Sequence, residues 1–171
     1  MVEFALTKTQ RLTANAAAKD AARDVLTCVH IKRGKIEATD GYMFVQKAID
    51  YDGEEFLLSA KEVAKHKDNL KFPGKVIYSK EGNGVRASGQ NIYALQARPG
   101  VFPNCELVMP TGTAVFRTTL SRNLLLKLLK SLSAEEEDMI KFYFYGAVGP
   151  VKFTTDDAKT VGLIMPMQAE W

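Results

Sequence analysis

Cysteine and histidine are scarce in this chain of 171 residues, which contains only two of each. Cys28 and Cys105 lie far apart and form no CxxC pair, so they predict neither a disulfide framework nor a zinc site. His30 and His66 have no cysteine or carboxylate at the spacing that metal ligands need. We therefore expect the protein to bind no metal ion and to carry no cofactor.

Long apolar runs are also missing from the sequence. No stretch approaches the roughly 20 apolar residues that cross a membrane. Residues 1–13 carry Glu3, Lys8 and Arg11 among their apolar side chains, which is unlike a secretory signal peptide. We expect a cytoplasmic protein that makes no contact with membranes.

Sequence motifs of common enzymes are absent as well. The chain contains no GxSxG, GxGxxG, P-loop or HExxH pattern. An enzyme that uses Asp40, or Asp156 with Asp157, stays open as an alternative. Aspartate beside glycine or in a hairpin is more typical of a turn. We therefore expect no catalytic residue and favour a binding function.

The composition is that of an ordinary globular protein. Apolar residues make up 46% of the chain, enough to bury a core. The net charge of +3 and the pI near 8.8 are only mildly basic. Contact with nucleic acid would therefore require that the positive charge be concentrated on one face.

One supersecondary pattern occurs three times along the chain. Each occurrence has an apolar strand, a Ser or Thr at a helix N-cap, a short helix, and three β-rich runs separated by turns. Phe4, Phe56 and Phe116 mark the opening strands, which we place at residues 2–6, 55–58 and 114–117. The repeat predicts an α+β fold of three βαβββ units, with antiparallel sheets covered by helices on one face.

The predicted elements divide the chain into one and a half domains. Residues 1–110 form one domain of two units, about 1–50 and 51–110, and residues 111–171 form half of a further domain. Ser59 and Ser121 are the expected caps of the second and third helices. The predicted helices are 8–21, 60–69 and 122–132. The predicted strands after them are 25–31, 35–38, 42–48, 75–79, 84–87, 92–97, 139–145, 151–155 and 160–165.

Each predicted helix carries positive side chains on one face and apolar side chains on the other, although Leu12 falls on the basic side of the first helix and Asp68 joins the lysines of the second. Polar helix faces are often rich in lysine simply because they meet water. If the three helices share one side of the protein, their basic faces would form a surface suited to phosphates without reading bases. The candidate DNA-facing residues are Lys8, Arg11, Lys19, Lys61, Lys65, Lys127 and Lys130.

Three short motifs resemble the bacterial β sliding clamp, the beta subunit of DNA polymerase III. They are ATDGYMF at residues 38–44, GVFP at 100–103 running to VMP at 108–110, and LIMPM at 163–167. In order and spacing they are similar to a hairpin, an interdomain segment and a terminal strand of that family. The first two units resemble the middle domain of a clamp, and the third resembles the second half of its last domain.

This resemblance implies a shortened, non-enzymatic clamp-like protein with a DNA clamp-like fold. Clamp rings contain twelve such units, with helices lining the hole and sheets outside. The implied partners are duplex DNA, bound nonspecifically, and replication or repair proteins that carry a short clamp-binding motif. A homo-oligomer is also implied, since each chain has three units. Four chains would supply twelve units, and two chains that pair their odd third units would supply six.

The resemblance further implies an apolar pocket for short peptides. Methionine-rich apolar clefts suit varied peptide anchors. Tyr42 and Met43 stand where clamps have His-Arg, and Leu107 and Gln168 stand where basic residues are common, so peptide preference is expected to differ. A peptide-binding regulator with a clamp fold that never encircles DNA is the main alternative to a processivity factor. The implied lining is Thr39, Gly41, Tyr42, Met43, Phe44, Pro103, Leu107, Val108, Leu163, Ile164, Met165, Pro166 and Met167.

Overall fold

A computed structural model describes residues 1–19, 22, 24–132, 139–156 and 159–168. The chain divides into two compact units, Met1–Met109 and Pro110–Trp171. The first unit contains two four-stranded antiparallel sheets, and the second contains one three-stranded antiparallel sheet.

The first unit repeats the order strand, helix, three strands. Its first repeat consists of β1 Val2–Thr7, α1 Lys8–Arg11, 3₁₀ helices Leu12–Ala16 and Asp24–Thr27, β2 Cys28–Lys32, β3 Lys35–Thr39 and β4 Phe44–Ala48. Its second repeat consists of β5 Phe56–Ser59, α2 Ala60–Lys65, β6 Lys75–Glu81, β7 Gly84–Ser88 and β8 Ile92–Gln96, followed by the 3₁₀ helix Cys105–Val108. The second unit consists of α3 Arg122–Ser131, β9 Ile140–Phe144, β10 Val151–Thr155 and β11 Val161–Ile164.

The two repeats of the first unit exchange their opening strands. One sheet has the order β1-β6-β7-β8 and the other has the order β4-β3-β2-β5, so each opening strand completes the sheet of the other repeat. Leu6 lies opposite Val76, and Leu58 lies opposite Val29; all four side chains are fully buried. Because each sheet needs a strand from the other repeat, neither repeat has a complete sheet by itself.

Aromatic rings from both repeats form the centre of the core. Phe4 stacks on Tyr78 with ring centroids 5.2 Å apart and contacts Tyr51 at 4.8 Å. Phe56, from the other opening strand, lies 6.1 Å from Phe4. Burial of large apolar rings is a major favourable term in folding, so these contacts bind the two repeats together.

A polar cluster lies beside these rings. His66 Nδ1 is 2.7 Å from the Tyr78 hydroxyl, and the Arg11 guanidinium donates to the Leu6 carbonyl at 2.7 Å and pairs with Asp68. Burial, with the positive Arg11 nearby, lowers the pKa of His66 to about 4. Burial raises the pKa of Tyr78. His66 is therefore neutral at physiological pH and serves the core as a hydrogen-bonding partner of Tyr78.

The first two helices are shorter than the sequence predicted. The helix expected at residues 8–21 is one α-helical turn, capped by Thr7 and Gln10, followed by 3₁₀ structure to Ala16. Thr13, Ala14 and Ala16 are all buried, and packing around these small residues overrides the helix propensity of the alanine run. The helix expected at residues 60–69 ends at Lys65, where the chain becomes extended and His66 enters the core.

The second unit corresponds to the third predicted repeat, and it differs from the prediction at the opening strand. Residues 114–117 do not form a strand, so the expected third βαβββ pattern is incomplete within the described residues. The rest of the unit agrees with the expectation: Ser121 caps α3 by accepting from the Leu124 amide, and the three strands follow. Their core consists of Leu128, Val151, Phe153 and Ile164.

Acidification should weaken the fold through His66. Its pKa is about 4 in the folded protein, below the ordinary value of 6.5, so the unfolded chain binds this proton more readily between those pH values. The free energy of unfolding should fall as the pH drops through this window, by up to about 3 kcal/mol from this group. Urea denaturation from pH 7 to pH 4 measures the effect.

The two histidines provide matched variants for this experiment. His66→Gln should lose this component of the pH dependence, because glutamine does not titrate, whereas His30→Gln should retain it. An identical pH dependence in the wild-type protein and His66→Gln would show that another group is responsible.

Candidate functional site

The helical side of the first unit carries a strip of lysines. Lys8 and Lys67 line a groove between α1 and the end of α2. Lys19 and Lys61 line an adjoining cleft of about 820 Å³, and both depressions share Asn15 and Ala64. Lysines from distant parts of the sequence therefore line two neighbouring depressions. Such a strip can attract phosphates without specific base contacts.

Arg11 does not belong to this exposed strip. Its side chain is buried, donates to the Leu6 carbonyl and pairs with Asp68. The guanidinium is drawn inward because it satisfies that carbonyl and carboxylate, so its role is structural. Lys65 is exposed on α2, and Lys127 and Lys130 are exposed on α3 of the second unit.

Lys67 also belongs to the strip, although the sequence did not predict it as a DNA-facing residue. A helix continued to residue 69 would point Lys67 away from Lys61 and Lys65. The actual helix ends at Lys65, and the extended chain beyond it returns Lys67 to the groove that Lys8 lines. No local sequence signal indicates this, because the helix ends where His66 packs in the core.

The loop between β3 and β4 has a defined turn geometry. The Thr39 hydroxyl donates to the Met43 carbonyl at 2.6 Å and accepts from the Gly41 amide at 3.0 Å. Gly41 has φ +96°, a conformation that favours glycine. The turn presents Tyr42 fully to solvent, with Met43 also exposed.

Asp40 is a structural member of the same turn. Its carboxylate accepts hydrogen bonds from the amides of Met43 and Tyr42, at 2.8 and 2.9 Å. These bonds, from Met43 first and then Tyr42, lower the pKa of Asp40. A carboxylate held ionised in this way supports the turn and is poorly suited to donate a proton.

Residues 100–108 are anchored beside this loop by a second apolar cluster. Phe102 and Cys105 are buried with Cys28 and Leu57, and Phe44 at the end of the loop packs against the same cluster. The Asn104 side chain accepts from the Glu106 amide and caps the 3₁₀ helix that follows. Two of the three sequence motifs therefore meet on one cluster of the first unit. Pro103, Leu107 and Val108 remain exposed there.

Charged groups also fasten this segment to the sheet. Glu37 is buried, and its Oε1 lies 2.8 Å from His30 Nδ1 and 3.2 Å from Lys32 Nζ. Lys32 and Lys35 approach Glu106 Oε1 at 3.3 and 3.0 Å.

The pKa values of both glutamates reflect these contacts. Burial opposes ionisation of Glu37, but its hydrogen bonds with His30 and Lys32 outweigh burial and lower the pKa. Hydrogen bonds from Lys35 and then Lys32 lower the pKa of Glu106. Both carboxylates are therefore ionised at neutral pH and contribute to holding residues 102–106 on β2 and β3.

The third motif lies on the second unit. Ile164 is buried in its core, whereas Leu163, Met165 and Met167 are exposed. The Met167 amide donates to the Thr119 carbonyl at 2.8 Å, which holds the end of the motif against the segment before α3. Pro166 is half-buried. The motif thus presents an edge of apolar side chains on this unit.

Asp156 and Asp157 are the remaining carboxylates that the sequence offered for catalysis. Asp156 pairs with Lys141, and Asp157 lies outside the described residues. No group of three or more potential metal ligands is found in the described part of the chain. Among those same residues, no helix is long and apolar enough to cross a membrane.

Phe102 should be the main anchor of residues 100–108. Phe102→Ala removes a buried ring and should cost about 3 kcal/mol, with its effect concentrated in the 3₁₀ helix Cys105–Val108. Hydrogen exchange at the Leu107 and Met109 amides, which bond to Asn104 and Glu106, should accelerate more than exchange in β7. Val101→Ala changes an exposed neighbour and should leave those rates unchanged. Equal acceleration in both variants would argue against the anchor.

Comparison with known proteins identifies the fold. No protein-family model and no curated protein matches this sequence. Solved structures do match: the DNA polymerase sliding clamp from Bacillus subtilis has a TM-score of 0.73 and 16% identity, covering 98% of this chain and 50% of that one. The beta sliding clamp of C. crescentus has a TM-score of 0.72 and 18% identity, covering 97% of this chain and 50% of that one. DNA polymerase III subunit beta from Borrelia burgdorferi has a TM-score of 0.70 and 13% identity, covering 96% of this chain and 48% of that one.

These matches confirm the fold that the three motifs implied. The chain has the sliding-clamp fold and spans about half the length of these clamp structures.

Proposed function

We propose that this chain is a cytoplasmic, sliding-clamp-like processivity factor of DNA replication or repair. It contacts duplex DNA nonspecifically and tethers partner proteins through an apolar pocket, without chemistry of its own. The observation that carries the proposal is the combination of a sliding-clamp fold with a lysine strip on the helical side of the first unit.

The lysine strip supports contact with the phosphate backbone. Lys8, Lys19, Lys61 and Lys67 come from both repeats and line two adjoining depressions, and Lys65 is exposed on α2. Lysines of this kind hold a duplex by releasing counterions, which gives affinity that depends on salt rather than on base sequence. A protein that moves along DNA needs contacts of this nonspecific kind. We also include Lys127 and Lys130 of α3 among the proposed contacts with the phosphate backbone.

The exposed apolar side chains support the tethering role. Tyr42, Met43, Leu107 and Val108 project from two segments held on one buried cluster. Exposed apolar groups on a rigid support are a common way to bind short peptides. In this proposal they form the peptide-binding surface of the first unit together with Thr39, Gly41, Phe44 and Pro103. Residues 163–167 supply an exposed apolar edge on the second unit. A homo-oligomer would supply the number of units that a ring requires.

Removing lysines from the strip should weaken the salt dependence of DNA binding. Lys19→Ala with Lys61→Ala should lower the slope of log affinity against log salt by up to about 2, since each lost phosphate contact contributes about 0.9. Fluorescence anisotropy with a labelled duplex over a range of salt concentrations measures this slope.

A second double variant removes the same number of positive charges from other positions and serves as the control. Arg86→Ala with Lys152→Ala removes two exposed charges from strands β7 and β10 and should leave the slope unchanged. If both double variants alter the slope equally, overall charge rather than the strip governs binding. If the wild-type protein binds peptide but no DNA, the peptide-binding regulator becomes the better description.

Removing the exposed apolar groups should weaken partner binding. Leu107→Ser with Val108→Ser should reduce affinity for a labelled peptide carrying a short clamp-binding motif by about tenfold or more, because apolar contact area is lost. Ile92→Ser removes an exposed apolar side chain from β8 and serves as the control. Fluorescence polarisation measures both affinities. Unchanged affinity in the double variant would place the peptide elsewhere.

A further inference from the structure

The groove between α1 and the end of α2 has a buried polar atom at its floor. The groove has a volume of about 290 Å³, and its lining includes Lys8, Arg11, His66 and Lys67. Both lysines are exposed, whereas Arg11 and His66 are each only 5% exposed. The Nε2 atom of His66 is buried and has no hydrogen-bond partner among the described residues. A buried polar atom without a partner costs free energy, so a ligand that supplies the partner would gain from it.

The hydrogen bond to Tyr78 indicates which proton the imidazole carries. Neutral histidine has one N–H and one bare nitrogen, and Nδ1 lies 2.7 Å from the Tyr78 hydroxyl. If the hydroxyl donates to Nδ1, the Nε2–H is the only group of the pair that lacks a partner. The reverse arrangement would leave both the hydroxyl hydrogen and Nε2 without partners among the described residues. The first arrangement leaves fewer buried groups unsatisfied, so Nε2 is a donor.

Aromatic packing holds this donor in place. The His66 ring lies 4.5 Å from the Tyr93 ring and 5.6 Å from the Tyr78 ring, measured between centroids. Since Nδ1 is engaged by Tyr78, Nε2 is directed away from that hydroxyl. A donor with a fixed direction loses little entropy when an acceptor binds. The ring therefore offers one N–H bond in a defined position.

The charge of the lining favours an anion. Three cations, Lys8, Arg11 and Lys67, face one carboxylate, Asp68, so the lining has a net charge of +2. Arg11 pairs with Asp68 and also donates to the Leu6 carbonyl. The charges of the two lysines are therefore the ones that a ligand can still neutralise. Burial together with the Arg11 charge lowers the pKa of His66 to about 4, so its N–H is a neutral donor at neutral pH.

The surroundings of the groove favour phosphate over other anions. Asn15 and Ala64 line this groove and also the cleft that Lys19 and Lys61 line. The two lysine-lined depressions are thus continuous, as a ligand with successive negative groups requires. The phosphates of a nucleic acid strand are such a ligand.

We propose that this groove binds one phosphate group in a fixed position, with the Nε2–H of His66 donating to a phosphate oxygen and Lys8 and Lys67 neutralising its charge. The proposal rests on the proposed contact with duplex DNA only for the source of the phosphate. It adds a directed hydrogen bond to a surface on which lysines alone would give diffuse attraction. Because a backbone phosphate carries no base information, this contact would fix the position of a strand without reading its sequence.

Nuclear magnetic resonance of the imidazole nitrogens tests the site in the unsubstituted protein. Inorganic phosphate, added at neutral pH and constant ionic strength, should shift the Nε2–H resonance of His66 in a saturable way. His30, whose nitrogens face Glu37 and Glu55, should not respond, and the variant His30→Gln assigns the two signals. No shift at His66, equal shifts at both histidines, or an equal response to acetate overturns the proposal.

DNA binding separates the neutral donor from the lysines. His66→Phe removes a hydrogen bond to a charged group but releases no counterion. Affinity for a labelled duplex should therefore fall about tenfold at every salt concentration, while the slope of log affinity against log salt stays the same. Lys67→Met should lower that slope by about 0.9. Arg86→Met removes one exposed charge from β7 and should change neither quantity. Fluorescence anisotropy measures both.

A second substitution distinguishes the donor from the ring that carries it. The side-chain amide of glutamine can donate in place of Nε2–H, so His66→Gln should retain most of the affinity that His66→Phe loses. An equal loss in both variants would mean that the ring acts only through the fold, and it would overturn the proposal.

Failure of this site and failure of the proposed function give different results. If the duplex binds with a slope that depends on the lysines while His66 responds to no probe, the function stands and the site is wrong. If inorganic phosphate shifts His66 but the duplex does not bind, the phosphate site stands and the contact with DNA is wrong.

Discussion

The exchange of β1 and β5 between the two repeats is the constraint on which the first unit depends. A three-stranded sheet with an apolar edge is incomplete, and the strand that completes it belongs to the other repeat. The exchange buries Leu6 and Leu58 against valines of the opposite repeat and brings Phe4, Phe56 and Tyr78 into one core. Because the backbone bonds and the apolar contacts cross between repeats together, the repeats are expected to fold as one cooperative body.

The position of the lysine strip is a consequence of that exchange. Each opening strand leads directly into a helix, so pairing the strands places α1, the following 3₁₀ helix and α2 next to one another. Lys8 then lines one depression with Lys67 of the other repeat, and Lys19 lines the adjoining one with Lys61. The buried Arg11 supports the same region by satisfying the Leu6 carbonyl and Asp68. Lys8 and Arg11 are thus neighbours in sequence, but Lys8 is exposed and Arg11 is buried.

The apolar surface of the first unit depends on a different interaction, the attachment of residues 100–108. Phe102 supplies the apolar anchor, and Glu106 supplies the charged one through Lys32 and Lys35. Buried Glu37 on β3 contacts both Lys32 and His30 of the neighbouring strand β2. This network lets exposed Leu107 and Val108 sit on a rigid support. Rigid support reduces the entropy lost when a partner binds.

The sequence by itself determined the order of strands and helices in the first two repeats, the cap of α3, and the family resemblance carried by three short motifs. These features depend on local chemistry: alternation of apolar residues, turn-forming glycine and asparagine, and capping hydroxyls. Tertiary structure alone decided that the opening strands change places, that Arg11 turns inward, and that α2 stops at Lys65 so that Lys67 joins the strip. Each of these depends on contacts between residues far apart in the chain, such as Leu6 with Val76 and His66 with Tyr78. Periodicity describes only neighbours along the chain, and for that reason it could not predict them.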